Sequence, residues 1–231
     1  MLDFDRFEWL SFDCYGTLVD WETGISMAVA GVLESRGMSK SRAEILALFA
    51  EAEPRVQRSQ DYMEYRRVLH EVMAMIGTRL GFQCTESELE CLADSLPGWP
   101  VFPDVKGALT ALKTRYKLAV ISNVDDGLFA GTAEALGVDF DAVVTAEQVR
   151  SYKPSLRNFD AAARRMAVEK QRWLHVAESL YHDIAPANQL GVACVWVNRA
   201  NRGGGTRGAD ALPDLVVSDL AALARMMCRP A

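Results

Sequence analysis

Short apolar runs recur along the last two-thirds of this chain, each followed by a helical pattern, and that alternation most constrains what it can fold into. The runs are Lys117-Leu118-Ala119-Val120-Ile121, Ala142-Val143-Val144-Thr145, Trp173-Leu174-His175-Val176-Ala177, Val192-Ala193-Cys194-Val195-Trp196-Val197 and Leu215-Val216-Val217. Rich in β-branched residues and without polar alternation, they read as strands buried on both faces. Helical patterns over 104–115, 126–136, 155–168, 184–190 and 218–228 separate them. The expected fold is α/β, a Rossmann-like parallel sheet core with helices on both faces.

Residues 22–95 break the alternation. They carry almost no strand signal and are dense in helix formers, as over 41–53 and 64–80. Pro97-Gly98-Trp99-Pro100 and Phe102-Pro103 mark the far boundary. The expected organisation is a core of residues 1–20 and 97–231 with an inserted α-helical cap domain over 21–96. Inserted after the first strand, the cap would lie over the carboxyl edge of the sheet as a lid. A chain of 231 residues, half of them hydrophobic, can bury one sizeable core and such a satellite. Arg202-Gly203-Gly204-Gly205-Thr206 reads as a flexible surface loop.

The formal charge of −6 and a pI near 5.2 give a nucleic-acid partner no electrostatic support. No basic run marks a membrane surface, and the apolar runs are far too short to span a bilayer. Five scattered cysteines without a CxxC pair read as reduced thiols, neither a disulfide frame nor a zinc site. The opening Met-Leu-Asp-Phe-Asp-Arg has no basic n-region and no long apolar stretch, so no signal peptide is expected. A cytoplasmic protein is expected, monomer or homodimer.

The first strand shows where the chemistry lies. Its apolar residues Trp9, Leu10 and Phe12 end in Asp13, followed by Tyr15, Gly16 and Thr17. A parallel strand delivers such a tip to the carboxyl edge of its sheet, and a carboxylate there can act as a covalent nucleophile. Three later strand ends are also polar: Ser122-Asn123 followed by Asp125 and Asp126; Ser151-Tyr152-Lys153-Pro154; and Glu178-Ser179 followed by Tyr181-His182-Asp183. Converging in one crevice, they would gather a nucleophilic carboxylate, a hydroxyl, a lysine and further acids.

These four segments, in order and over essentially the whole chain, resemble the motifs of the haloacid dehalogenase superfamily. Asp13-x-Tyr15-Gly16-Thr17-Leu18 looks like the first motif, Ser122 like the second, Lys153 like the third and the segment from Glu178 to Asp183 like the fourth. Tyrosine after the nucleophile resembles the 2-haloacid dehalogenase branch. The first, third and fourth segments are also similar to L-azetidine-2-carboxylate hydrolases. The resemblance implies a hydrolase that cleaves a carbon–heteroatom bond at the α-carbon of a small 2-substituted carboxylic acid through an aspartyl ester. It implies no cofactor and a small-molecule substrate. Asp13 would be the nucleophile, Thr17 would orient it, and Lys153 would keep it ionised. Ser122 and the amide of Asn123 would hold the substrate carboxylate. Asp183 would orient the hydrolytic water, and Tyr15, Glu178 and Trp21 would contact substrate.

Each residue also has a plainer reading. Asp13 and Asp183 can be helix N-caps, Ser122-Asn123 a turn, Lys153 a surface lysine and Tyr15 packing between core and cap. Trp21, Phe49 and Tyr62 are pocket walls or core. His175, inside a strand, reads as a satisfied buried histidine, and His182 as a candidate proton shuttle. Phosphatases of the superfamily keep an aspartic acid where Tyr15 stands, and a phenol with a pKa near 10 donates protons poorly at neutral pH. Halide, or a neutral amine leaving from a strained ring, needs no such proton. Glu178 keeps a Mg²⁺-dependent phosphatase open, with Asp13, Glu178 and Asp183 as the oxygen ligands. A non-catalytic scaffold is the remaining alternative. The cap segment Leu48-Phe49-Ala50-Glu51-Ala52-Glu53 lacks the arginine with which dehalogenases receive halide, and Arg55 and Arg58 are only nearby. Acids in that place favour a substrate carrying a cationic amine, the azetidine alternative.

Overall fold

The computed structural model describes residues 2–58, 61–199 and 209–228. Six parallel strands make one sheet: β1 (Trp9–Phe12), β2 (Lys117–Ser122), β3 (Ala142–Thr145), β4 (Trp173–Ala177), β5 (Ala193–Val197) and β6 (Leu215–Val217). Across the sheet they run β3-β2-β1-β4-β5-β6. This is the expected Rossmann-like core, and every apolar run read from the sequence is one of its strands. The chain winds from β1 outward to β3, then returns to β4 on the other side of β1. Connections therefore diverge at the carboxyl ends of β1 and β4, which opens a crevice there.

Side chains alternate across the sheet. Leu10, Phe12, Leu118, Val120, Leu174 and Val176 share one apolar layer. Trp9, Ala119, Ile121 and Trp173 share the other. With both faces covered, the strands have no polar side, which is why they read as unbroken runs. Complete burial of Leu10 and Phe12 contributes about 1.5–3 kcal/mol each.

Between β1 and β2 the chain is helical: α1 (Trp21–Ser35), α2 (Arg42–Gln57), α3 (Tyr65–Leu80), α4 (Glu86–Leu89) and α5 (Cys91–Ser95). This is the cap. Asp20 caps α1 by accepting the Thr23 N–H, and Ser41 with Glu44 forms a reciprocal capping box on α2. The first turn of α3 is tied to the core, because the Asp125 carboxylate accepts the N–H groups of Tyr65 and Arg66 at 2.7 Å each. Gly24 of α1 lies under the Trp99 ring, and a Cβ there would stand 2.3 Å from the indole Cγ. Glycine is required by that close approach.

The core helices are α6 (Val105–Lys113), α7 (Asp126–Leu136), α8 (Ala146–Val149), α9 (Leu156–Met166), α10 (Ala185–Leu190) and α11 (Leu220–Met227). Leu109 of α6 and Leu223 of α11 join the first apolar layer, and Phe159 of α9 joins the second. The helix expected over 184–190 starts earlier, with a π-type turn over Leu180–Ile184. Ser179 caps that turn by accepting the His182 N–H, so Asp183 lies within the turn and is not its N-cap. The glycine-rich segment 202–206 lies outside the described residues. Among the described residues, no helix is long and apolar enough to cross a membrane.

Candidate active site

A cavity of about 280 Å³ lies between the strand ends and the cap. Asp13, Tyr15, Ser122, Asn123, Lys153, Glu178 and Asp183 line it from the sheet, and Trp21, Ile25, Phe49, Glu53, Gln57 and Tyr65 from the cap. Of the residues given a catalytic or substrate-binding role from the resemblance, all line this cavity except Thr17, which is buried directly behind Asp13.

Lys153 organises the centre. It is 2% exposed, which removes the surface-lysine reading. Its ammonium donates to Asp13 Oδ1 at 2.8 Å, to Asp183 Oδ1 at 2.7 Å and to the Ile121 carbonyl at 2.8 Å. Those three bonds exhaust its donors. The two carboxylates raise its pKa against the opposing effect of burial, so it stays an ammonium. Asp13 Oδ2 accepts from Thr17 Oγ1 at 2.7 Å, and the same hydroxyl oxygen accepts the Glu178 N–H at 2.9 Å. Both oxygens of Asp13 are thus held by side chains of the site, and the residue is no helix cap. Burial raises the Asp13 pKa above the ordinary carboxylate value and the charge of Asp183 adds to that, while Lys153 works against it. Asp183 is held down to about 2: burial pushes up, but Lys153 and His175 together outweigh it.

Ser122 ends β2 with its hydroxyl buried and without a hydrogen-bond partner among the described residues. A buried hydroxyl without a partner is costly, and a ligand oxygen in the cavity would satisfy it. The Asn123 side chain is occupied: its Oδ1 accepts the Lys153 N–H at 2.7 Å and its Nδ2 donates to the Lys153 carbonyl at 3.1 Å. The side chain of Asn123 therefore clips the lysine loop to β2. Tyr15 shares a 3.0 Å hydrogen bond with Thr132 of α7 and meets the Trp99 ring edge to face at 5.8 Å. Burial pushes its phenol well above its usual pKa, so it is an even weaker acid than expected.

Several expectations change. Asp125, placed in the crevice by the sequence, instead anchors α3, and Asp126 accepts from Thr145 and Gln148. Tyr62 does not line the cavity; it stacks on Tyr152 at 5.5 Å. Trp21 and Phe49 do line it, with ring centroids 5.9 Å apart. Arg55 pairs with Glu51 at 3.0 Å beside a separate groove between α2 and α3, and among the described residues no arginine lines the site. The proposed oxygen set for Mg²⁺ does not fit as it stands. Among the described residues, only His70, Glu86 and Glu90 bring three ligand atoms within 4.8 Å of one another. Asp13 and Asp183 have the Lys153 ammonium between them instead.

His182 lines the cavity and its Nδ1 lies 3.1 Å from Ser179 Oγ. His175 is a satisfied buried histidine, as expected, but one of its partners is Asp183. Sequence reasoning missed Ser11 and Trp173 behind it, and Gln57, Tyr65 and Trp99 in the walls. The signal for Ser11 was present: a lone hydroxyl inside an otherwise apolar strand.

A capped Rossmann-like sheet with a buried aspartate–lysine–aspartate centre at its carboxyl edge is a hydrolase architecture. The sequence pattern of the haloacid dehalogenase-like hydrolases matches residues 8–191, and the chain belongs to that family. It is similar to an (S)-2-haloacid dehalogenase of Pseudomonas fluorescens, 27% identical over 221 residues and 94% of each chain. A glyceraldehyde 3-phosphate phosphatase of Methanothermobacter thermautotrophicus is 36% identical, but over 42% of this chain and 44% of its own. Among solved structures, an L-2-haloacid dehalogenase from Xanthobacter autotrophicus with chloropropionic acid covalently bound shares the fold. Its TM-score is 0.83 at 21% identity, covering 97% of this chain and all of that one.

Proposed function

We propose that this chain hydrolyses a carbon–heteroatom bond at the α-carbon of a small 2-substituted carboxylic acid, in the manner of a 2-haloacid dehalogenase. Residues 21–96 act as the cap and 1–20 with 97–231 as the catalytic core, working in the cytoplasm as monomer or homodimer. The observation that carries the reading is the Asp13–Lys153–Asp183 centre beside the unpartnered Ser122 hydroxyl. Ser122 Oγ–H donates to the substrate carboxylate. An oxygen of Asp13 attacks the α-carbon; its C–O bond forms as the bond to halide breaks, and halide leaves with the electron pair. No acid is needed, which suits a site whose nearest phenol is Tyr15. Water, held by Asp183, then adds to the Asp13 carbonyl carbon. The acyl–oxygen bond breaks, one water proton ends on the departing 2-hydroxy acid and the other goes to solvent. The Asp13 carboxylate is regenerated carrying one oxygen from water.

One observation favours azetidine-2-carboxylate ring opening as the second reading. Among the described residues that line the cavity, Asp13, Glu53, Glu178 and Asp183 carry carboxylates and Lys153 an ammonium. A surplus of negative charge favours a substrate whose leaving nitrogen is protonated. A Mg²⁺-dependent phosphatase has less support, because its carboxylates do not converge and Tyr15 replaces its acid. A non-catalytic scaffold would give the buried, unpartnered Ser122 hydroxyl no role.

Single turnover in ¹⁸O water, with mass analysis of the Asp13 peptide, tests the ester route. Label in that peptide is expected, with chloride from 2-chloropropionate or ring opening of azetidine-2-carboxylate. Turnover of either without label, or activity only on p-nitrophenyl phosphate with Mg²⁺, would refute it.

A further inference from the structure

Behind the cavity a line of buried side chains runs from Asp183 into the sheet. Trp173 Nε1 lies 2.6 Å from Ser11 Oγ, Ser11 Oγ 2.7 Å from His175 Nδ1, and His175 Nε2 3.0 Å from Asp183 Oδ1. Strand register builds it: Ser11 of β1 sits beside His175 of β4, and Trp173 is two residues earlier on the same face. Phe159 meets the imidazole edge to face at 5.1 Å and holds the ring.

The direction of this line follows from donor chemistry. An indole N–H can only donate, so Ser11 Oγ accepts it. The Ser11 hydroxyl has no other acceptor among the described residues, so its hydrogen is directed to His175 Nδ1, which then accepts. The imidazole therefore carries its proton on Nε2, pointed at Asp183, and needs no charge to do so. Asp183 Oδ1 receives this N–H and the Lys153 ammonium together, while Oδ2 is buried without a hydrogen-bond partner among the described residues. A single ion pair sets a distance but leaves a carboxylate free to rotate. Two donors on one oxygen fix its plane and leave the other oxygen able to accept from a water.

We propose that His175, set in its Nε2–H tautomer by Ser11 and Trp173, is a positioning residue that presents Asp183 Oδ2 to the water that hydrolyses the Asp13 ester. The inference rests on the aspartyl-ester reading above. It also assigns the effect to one half of the reaction. Once Asp13 is esterified its charge is gone, and Lys153 is left with Asp183 as its one carboxylate, beside the Ile121 carbonyl. Among the described residues, the histidine is then the one second side-chain tether that keeps Oδ2 aimed. Ester formation, in which Lys153 is still shared with Asp13, needs the tether less.

Rapid-quench kinetics tests this with 2-chloropropionate or azetidine-2-carboxylate, whichever is turned over, on wild type, His175→Phe, His175→Gln and Ser11→Ala. In His175→Phe the first turnover proceeds at the wild-type rate and the Asp13 ester accumulates. Its hydrolysis slows about tenfold to a hundredfold, the cost of a misplaced reacting group. Gln restores an N–H toward Asp183 and brings hydrolysis back toward wild type. Ser11→Ala, a small change that spares the fold, shows a weaker form of the same split. In ¹⁵N-histidine spectra of wild type, the His175 Nδ1 signal is that of an unprotonated nitrogen. Ester hydrolysis at the wild-type rate in folded His175→Phe, equal slowing of both halves, or a protonated Nδ1 would overturn the proposal while leaving the ester route standing. If His175→Phe does not fold, an unchanged hydrolysis rate in Ser11→Ala overturns it. Absence of any ester in wild type would instead remove the reading beneath it, and the proposal with it.

Discussion

The two walls of the cavity are built on different terms. The sheet wall is ionic and closed on itself: Asp13, Lys153 and Asp183 are buried and bonded to one another, and each is held from behind by Thr17, the Ile121 carbonyl or His175. The cap wall is mostly apolar, with Trp21, Ile25, Phe49 and Tyr65, and a partly exposed Glu53 held by Gln57. Strand ends have few degrees of freedom and can hold charges to the accuracy that bond-making demands. Helices laid over them can vary without disturbing that centre. Under the proposed function, the contrast gives chemistry to the sheet wall and selection to the cap wall.

Removing the nucleophile gives the sharpest test. Asp13→Asn should fold and lose about a thousandfold or more in turnover, the scale of losing a covalent nucleophile. Turnover close to wild type would break the division at once. Lys153→Met leaves two carboxylates buried together without their cation. Denaturant unfolding at neutral pH should show a loss of about 3–5 kcal/mol, as for one partner removed from a buried ion pair.

The cap wall should respond more gently. Gly24→Ala drives a methyl into the Trp99 ring, which also carries Tyr15, and should cost about 1–3 kcal/mol by overpacking. A measurable shift in substrate preference should accompany it. Glu53→Gln removes one partly exposed charge. It should weaken kcat/KM for azetidine-2-carboxylate roughly fivefold and leave 2-chloropropionate unchanged or slightly improved. An equal loss on both substrates would move Glu53 out of selection.

The smallest effect lies in the pH profile. Asp13 must be ionised to attack, and its pKa is raised by burial and by Asp183. The acid limb of the ester-forming step should therefore sit above the ordinary carboxylate range. Asp183→Asn removes the like charge and leaves Lys153 to Asp13 alone, so the limb should move to lower pH. A limb that stayed in place would mean that the two carboxylates do not sense each other.

The sheet was legible because its strands are buried on both faces and so read as plain apolar runs. Asp13 and Ser122 were legible because each closes such a run; Lys153, beyond α8, and Asp183, inside the turn after β4, were legible as members of the polar segments that follow. Asp125 was misread for a related reason: it also follows a strand, but its carboxylate turns outward to cap α3, and nothing local distinguishes the two directions. Tyr62 and Tyr65 are three residues apart, yet only Tyr65 reaches the cavity, because the way α3 docks on Asp125 decides which ring faces inward.

Residue order alone determined the strand–helix alternation, the inserted helical segment and the set of charged tips, since these depend on local pattern and on the two periods of backbone structure. Tertiary structure decided the rest. Only the pairing of β1 with β4 brings Ser11 beside His175, and only three-dimensional closeness makes Lys153 a bridge between carboxylates 170 residues apart in the chain. The reason is physical: electrostatics and hydrogen bonding act over a few ångströms of space, and distance along a chain does not measure that.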